Sequence, residues 1–176
     1  MTTAHWTKGY TQAELDRAQR RFGLVFPPDL VDLLRRKRPV DGHDWTDERA
    51  IQRALDQPFE GLLASVESGG LWWPQWGPLP RRADERERVL REVVARAPKL
   101  IPLMHNRYLP ELPHEAGNPV FSIFYDDAIC YGVNLKDYFE REFNSRHGRP
   151  EPRPTKYILF WSELVERFAQ NRNNTA

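Results

Sequence analysis

The sequence contains little of what marks a secreted or membrane protein. Its single cysteine, Cys130, cannot form an internal disulfide, which excludes a disulfide-stapled secreted scaffold. No apolar run approaches the roughly 18 residues that a membrane-spanning helix requires. The N-terminal stretch MTTAHWTKGY lacks the basic region and the apolar core of a signal peptide. We therefore expect a cytoplasmic protein that does not span a membrane.

An excess of charge of either sign is also missing. The 26 Lys and Arg residues and the 25 Asp and Glu residues leave a formal net charge of +1, which provides no global field that would attract nucleic acid or anionic lipid. Hydrophobic residues form 40% of the 176 residues, which is enough apolar surface for one ordinary domain with its own core. The composition predicts a single domain over residues 1–176, with residues 1–9 and 171–176 as frayed tails.

Sequence motifs of common enzyme classes are absent as well. The chain has no Gly-rich phosphate loop, no Gly-x-Ser-x-Gly elbow and no Cys-x-x-Cys. Cys130 lies in an apolar segment, so we interpret it as a buried hydrophobe and not as a nucleophile. We predict no catalytic residue, no metal and no cofactor. One alternative stays open, a metal-dependent hydrolase that uses His105, His114 and Asp126, although their spacing matches no recognised ligand motif.

Helix signals are the strongest local patterns in the chain. Thr11 and Glu14 form a capping box and Gly23 is typical of a helix end, so a helix is predicted over 11–22. Pro27-Pro28-Asp29 begins a second helix. Further helices are predicted from Thr46 to about Leu55 with an end at Gln57-Pro58, over Ala83–Ala97, after Asn134 and after Ser162.

Short apolar and β-branched segments between these helices predict strands. They are Leu62–Val66, Leu100–Leu103, Val120–Phe124, Ala128–Tyr131 and Thr155–Trp161. The first of these is short enough to be a helical turn instead, and the turn Ser68-Gly69-Gly70 that follows it favours the strand. The third and fourth flank Tyr125-Asp126-Asp127, which indicates an antiparallel hairpin, whereas residues 105–118 are predicted as a long Pro-rich loop. We therefore predict a single α+β domain with a central, mainly antiparallel sheet of about four to six strands, packed by flanking helices.

Tryptophan is concentrated in one segment. Three of the six tryptophans, Trp72, Trp73 and Trp76, fall within five residues. Such a segment caps the end of a core or anchors a binding face, and the first role is the more common. A stacking platform for single-stranded bases would also need cations, which Arg81-Arg82 supplies. The balanced charge of the chain disfavours that third role.

Arg35–Arg38 is a run of four cations, which invites a nucleic-acid interpretation because such a run can neutralise phosphates. Cations in the last turn of a helix also complement the negative end of the helix dipole. We favour this second role. Nucleic-acid binding through Arg35–Arg38 and Arg81-Arg82 is therefore an alternative and not the prediction.

Several segments, taken in their order along the chain, resemble the SUKH superfamily, the family of fungal cell-wall-assembly regulators and their bacterial relatives. They are Phe22-Gly23-Leu24, Phe26–Leu30, Glu60–Leu63, Trp72–Gly77, Arg107–Pro110, Gly117–Ser122 and Tyr131–Leu135. The resemblance implies an α+β fold with a central antiparallel sheet. It also implies a binding protein, because bacterial members are inferred to be immunity proteins that neutralise polymorphic toxins and fungal members act as regulatory interaction hubs. It supplies no catalytic residues.

We therefore predict a non-catalytic protein-binding module of the immunity type, whose partner is a protein such as a polymorphic toxin domain. A regulatory interaction protein is the alternative. Aromatic and arginine side chains are common anchors of protein interfaces, so the predicted binding face consists of the Trp72–Trp76 loop and the Met104–Asn118 loop. Its candidate residues are Trp72, Trp73, Trp76, His105, Arg107, Tyr108, His114 and Glu115.

Overall fold

A four-stranded antiparallel sheet with helices on both faces organises the computed structural model, which describes residues 5–125, 127–144 and 152–174. The helices of these residues are α1 (Gln12–Phe22), α2 (Pro28–Arg36), α3 (Glu48–Glu67), α4 (Ala83–Val94), α5 (Leu135–Phe143) and α6 (Trp161–Asn174). Their strands are β1 (Trp6–Lys8), β2 (Lys37–Pro39), β3 (Leu100–Met104), β4 (Arg107–Pro110), β5 (Val120–Phe124) and β6 (Asp127–Gly132). Strands β3 to β6 pair in sequence order, and β1 pairs with β2 in a separate antiparallel ribbon. The predicted α+β class with a mainly antiparallel sheet is confirmed.

Two hydrophobic clusters cover the two faces of the sheet. Neighbouring residues of a strand point to opposite faces, and the clusters divide them accordingly. Leu109 and Val120 belong to the first cluster, whereas their neighbours Tyr108 and Phe121 belong to the second. Side chains of α1, α2 and α5 complete the first cluster, and side chains of α4 and α6 complete the second. Both faces of the sheet are therefore core.

Local sequence signals place several elements as predicted. The backbone N–H of Glu14 donates to Thr11 Oγ1 at 3.2 Å and the N–H of Thr11 donates to Glu14 Oε2 at 2.7 Å, which completes the capping box of α1. Gly23 ends α1 in the left-handed conformation, with a φ of 59°. Asn134 caps α5 by accepting the N–H of Asp137 at 2.9 Å. The hairpin β5–β6 is also confirmed, although its turn residue Asp126 lies outside the described residues.

The third helix extends beyond its predicted end. Pro58 does not stop it, because α3 continues to Glu67 and includes the segment predicted as the strand Leu62–Val66. Its buried residues recur at helical spacing and form one stripe along α3. They are Ile51, Ala54, Pro58, Gly61, Leu62, Ser65 and Val66. Burial of this continuous stripe offsets the cost of about 3 kcal/mol that an interior proline imposes on a helix. The cap is Asp47 and not Thr46, since Asp47 Oδ1 accepts the N–H of Ala50 at 3.0 Å.

Both predicted tails contain ordered elements. Trp6–Lys8 forms β1, which pairs with Lys37–Pro39, so the end of the cationic run Arg35–Arg38 is a strand and not a helical turn. The side chain of Trp6 packs against Phe139 of α5 with ring centroids 4.8 Å apart. Residues 171–174 belong to α6. Parts of both predicted tails therefore belong to regular elements, whereas residues 1–4 and 175–176 lie outside the described residues.

The predicted strand Thr155–Trp161 is not formed. Its apolar residues Ile158, Phe160 and Trp161 are each buried in the second cluster, and α6 begins at Trp161. Ser162 does not cap the start of α6, because its Oγ accepts the N–H of Ile158 at 2.8 Å within a turn. The strand prediction for this segment rests on its β-favouring composition. No strand of the described residues pairs with the segment, so the prediction is wrong.

Of the helices that the structure describes, none combines the length and the apolar character needed to cross a membrane.

Candidate functional site

The Trp segment, residues 72–76, closes the end of the second hydrophobic cluster. Trp73 is only 4% exposed and packs against Phe160 with ring centroids 5.2 Å apart. Trp76 lies on Trp73 at 4.8 Å, and the indole N–H of Trp72 donates to the carbonyl of Gly77 at 2.8 Å. These contacts correspond to core capping. Trp73 and Trp76 also line a shallow groove of about 390 Å³ beside α4.

The second predicted loop, residues 104–118, contains strand β4 and is held by internal contacts beyond it. His114 Nε2 lies 3.1 Å from the carbonyl oxygen of Phe26. The Lys156 ammonium lies 2.9 Å from the Glu115 carboxylate and donates to the carbonyl of Ala116 at 2.6 Å. Asn118, completely buried, donates to the carbonyl of Pro110 at 3.2 Å. The interpretation of residues 105–118 as one long loop is therefore wrong.

Tyr108 and Arg107 of β4 connect the sheet to helices. Tyr108 is completely buried, and its hydroxyl donates to the carbonyl of Ala54 in α3 at 3.0 Å. Burial raises the pKa of the Tyr108 hydroxyl. The Arg107 guanidinium lies 4.0 Å from the ring centroid of Tyr131, and its Nε lies 3.8 Å from Glu142 Oε2 of α5. Both side chains thus contact the protein itself.

The remaining predicted residue, His105, lies in the tight turn between β3 and β4. His105 has a φ of 46°, and its carbonyl oxygen lies 3.1 Å from His43 Nε2. His105 and His114 therefore contact different neighbours, His43 in one case and Phe26 in the other. Asp126, the third residue of the hydrolase alternative, lies outside the described residues. Within the described ranges, no group of three or more His, Cys, Asp or Glu side chains is arranged to hold a metal ion.

We expect His43 to make the stability of the protein depend on pH. Burial lowers the pKa of the His43 imidazole, and this effect outweighs the hydrogen bond to the His105 carbonyl, which raises the pKa; charge repulsion from the His105 side chain adds a smaller lowering. Because the folded protein then binds this proton less readily than the unfolded chain, stability should be complete above the ordinary histidine pKa of about 6.5. It should fall as the pH drops from there towards the lowered pKa of the folded state. We expect His43→Gln, which keeps a polar group beside the carbonyl of His105, to reduce this loss.

Urea unfolding of both proteins at a series of pH values between about 7.5 and 5, a range that spans the ordinary histidine pKa, checks this expectation. An equal loss of unfolding free energy in His43→Gln and in the unchanged protein would contradict it. An NMR titration of the His43 ring follows the same group directly.

A larger concavity lies elsewhere, between α2 and α5, and none of the eight predicted residues lines it. This α2–α5 groove has a volume of about 630 Å³. Its apolar side chains are Trp6, Leu33, Leu135, Phe139 and Phe143, and its charged ones are Asp29, Arg36, Lys37, Lys136 and Glu140. From the predicted binding loops, only Gly117 contributes to it.

Aromatic side chains form one wall of the α2–α5 groove. Trp6 contacts the Phe143 ring edge-on at 5.3 Å between centroids, and His5 stacks on Phe143 at 4.4 Å with an interplanar angle of 9°. Phe139 packs against both rings and is buried, whereas Trp6 and Phe143 are partly exposed. The ammonium of Lys37 lies 4.0 Å from the ring centroid of Trp6. Solvent-accessible aromatic surface of this kind can accept an apolar side chain.

The sequence contains one signal for this wall. Trp6 is a large apolar residue in a segment that is predicted as a frayed tail, and it therefore has no place in the predicted core. Leu135, Phe139 and Phe143 recur at helical spacing, which predicts a buried face of α5. Pattern alone cannot show that the last turn of this face borders a groove.

The α2–α5 groove offers binding surface, and its described lining holds no cysteine or serine nucleophile. Its geometry fits insertion of a partner side chain between two helices. Comparison of the chain with protein-family models, with curated proteins and with solved structures gave no significant match, so the resemblance to the SUKH superfamily rests on the sequence segments alone.

Proposed function

We propose that this chain is a non-catalytic protein-binding module of the immunity type, which neutralises a toxin domain by binding it. The α2–α5 groove is the observation that carries the proposal. It presents partly exposed aromatic rings in a concave surface with charged residues at its rim. Interfaces between proteins have this composition, with aromatic anchors at the centre and polar groups around them.

Rigid walls further support a role in binding. α2 continues directly into β2, which pairs with β1 and thereby holds Trp6 against α5. α5 is joined to the sheet through the Arg107–Glu142 pair at 3.8 Å. A surface that is already shaped before a partner arrives loses less conformational entropy on binding.

The test is co-expression with toxin domains encoded beside this chain, scored by growth of the host cell and by the Kd of the purified pair. We expect the unchanged chain to restore growth. Leu33→Asp places a charge in the α2–α5 groove and should weaken binding about 30-fold, which corresponds to roughly 2 kcal/mol for an interface anchor. Circular dichroism and thermal unfolding show whether the variant is folded.

A matched control is Leu159→Asp, because Leu159 is 61% exposed and borders the shallow groove of the Trp segment. It should protect as well as the unchanged chain. Loss of protection in Leu159→Asp with normal protection by Leu33→Asp would instead assign binding to the Trp segment. If a second variant, Phe143→Ser, also binds normally, the α2–α5 groove is not the interface. Absence of binding to every such toxin would refute the immunity function.

A further inference from the structure

The α2–α5 groove carries positive charge at its Trp6 end. Arg36 and Lys37 are both exposed there, one at the end of α2 and the other at the start of β2. In the described part of the chain, Arg36 uses its Nε to bond the backbone carbonyl of Asp32 at 3.1 Å, and Lys37 contacts the Trp6 ring. Neither contact neutralises the cation. The aromatic wall therefore ends in two charges that can still attract an anion.

The carboxylates of the groove are engaged with other groups. Asp29 Oδ2 accepts the backbone N–H of Gly117 at 2.9 Å, and Glu140 lies 3.6 Å from the ammonium of Lys136 one helical turn earlier. Asp29 keeps its charge in this contact, but neither carboxylate forms an ion pair with Arg36 or Lys37 among the described residues. A bound group with negative charge would meet them beside the apolar floor.

The dipole of α2 explains the position of only one of these two cations. Arg36 lies in the last turn of α2, where a cation complements the negative helix end. Lys37 is in extended conformation, and pairing of β2 with β1 places it opposite Lys8 and over Trp6. The contact with the Trp6 ring stabilises Lys37 there and leaves its charge exposed. Lys37 can therefore also pair with an anion carried by a group that binds beside that ring.

Nucleic acid fits these cations less well than a protein does. A phosphate backbone would need Arg35–Arg38 as a continuous strip. The structure separates them, because Arg38 turns inward and donates to the Tyr10 hydroxyl at 2.7 Å and to Asp44 at 3.2 Å. Only Arg36 and Lys37 of this run therefore lie at the end of the apolar groove. Such a site is complementary to a ligand with one apolar side chain and neighbouring carboxylates.

We infer that the α2–α5 groove binds a segment of a partner protein in which an apolar or aromatic side chain is flanked by Asp or Glu. The apolar side chain lies on Trp6, Leu33 and Phe143, and the flanking carboxylate pairs with Lys37 and Arg36. This inference rests on the proposed binding function, and it specifies the chemistry of the partner.

Selection of random peptides displayed on phage against the immobilised full chain tests this specificity, with Leu33→Asp protein used to remove peptides that do not need the groove. The selected peptides should share an aromatic or large aliphatic residue with Asp or Glu within three positions. Synthetic versions should bind about tenfold more weakly to Lys37→Glu, and added salt should weaken them in the unchanged protein. Arg53→Glu is the matched control, since Arg53 is an exposed cation of α3 that lies outside the groove.

The possible results separate the two proposals. Peptides that depend on Leu33 but lack acidic residues, or that bind Lys37→Glu normally, would overturn the acidic specificity while leaving the groove as a protein-binding site. Recovery of no peptide that depends on Leu33 would refute the groove itself. Displacement of the selected peptides by a single-stranded oligonucleotide at lower concentration than by an acidic peptide would assign the cations to nucleic acid and overturn the inference.

Discussion

Replacing Gly132 by alanine should destabilise the protein by about 3 kcal/mol, the upper range for forcing extra atoms into a packed region. A Cβ at Gly132 would lie 2.8 Å from the backbone N, the Cα and the Cβ of Tyr138. Backbone atoms of a helix cannot move aside as the tip of a side chain can, so α5 would have to shift away from β6. Urea unfolding of the purified variant measures the loss.

Gly69→Ala is the matched control for Gly132→Ala. Gly69 has a φ of 81°, and a Cβ added there would meet only open space, so its substitution adds backbone strain without a new contact. We expect a cost of about 1 kcal/mol from the left-handed conformation alone. A Gly132→Ala protein as stable as Gly69→Ala would show that α5 is not held as closely to β6 as the structure describes.

Replacing Arg107 by alanine should cost about 2 to 3 kcal/mol, somewhat less than the loss of one partner from a fully buried ion pair. The side chains of Arg107 and Glu142 are 18% and 17% exposed, so the remaining carboxylate would stay largely out of water. The variant also loses the hydrogen bond from Arg107 Nη1 to Ser122 Oγ at 3.0 Å and the contact with the Tyr131 ring. The unfolding free energy in urea is the measurement.

A double-mutant cycle distinguishes this structural role from the predicted partner-binding role of Arg107. If Arg107 acts through Glu142, the double variant Arg107→Ala with Glu142→Ala should be more stable than the sum of the two single losses indicates. Strictly additive losses would contradict coupling of the pair. If Arg107→Ala is as stable as the unchanged protein but binds its partner more weakly, Arg107 belongs to the binding face as the sequence predicts.

Gly132, Arg107 and Glu142 all concern the position of α5, which forms one wall of the α2–α5 groove. Partial destabilisation by substitution of Gly132 or Arg107 should therefore also reduce binding at the groove, although neither residue lines it. On this interpretation, Arg107 and Tyr108 are residues that position the sheet and its helices. Arginine and tyrosine are common both as partly buried structural residues and as interface anchors, so residue type alone does not distinguish the two roles.

Elements with strong local signals are predictable from the sequence. The capping box at Thr11, the left-handed Gly23 and the Asn134 cap act through hydrogen bonds within a few residues, so the same atoms that define the motif also define the structure. The β5–β6 hairpin and the amphipathic face of α4 follow from short-range periodicity in the same way. Such features depend little on the rest of the fold.

Sequence predictions fail where distant parts of the chain determine the outcome. Pro58 usually would end a helix, yet α3 continues because residues on both sides of it are buried in the core. Residues 155–161 have strand composition, but a strand exists only when a neighbour offers backbone hydrogen bonds. Trp6 belongs to an ordered ribbon because its segment pairs with β2, which is distant in the chain.

The fold class, most helix positions and the cationic and aromatic residue types that are available for binding can be predicted from the sequence alone. Which of these residues are buried, and which partners they contact, depends on the packing of the whole chain. Packing buries Trp73 and Tyr108 in the second cluster, brings the exposed His114 and Glu115 to internal partners, and assembles the α2–α5 groove from residues that are far apart in the chain. Because burial is shared among all elements of a core, the exposure of a side chain cannot be predicted from its own neighbours in sequence.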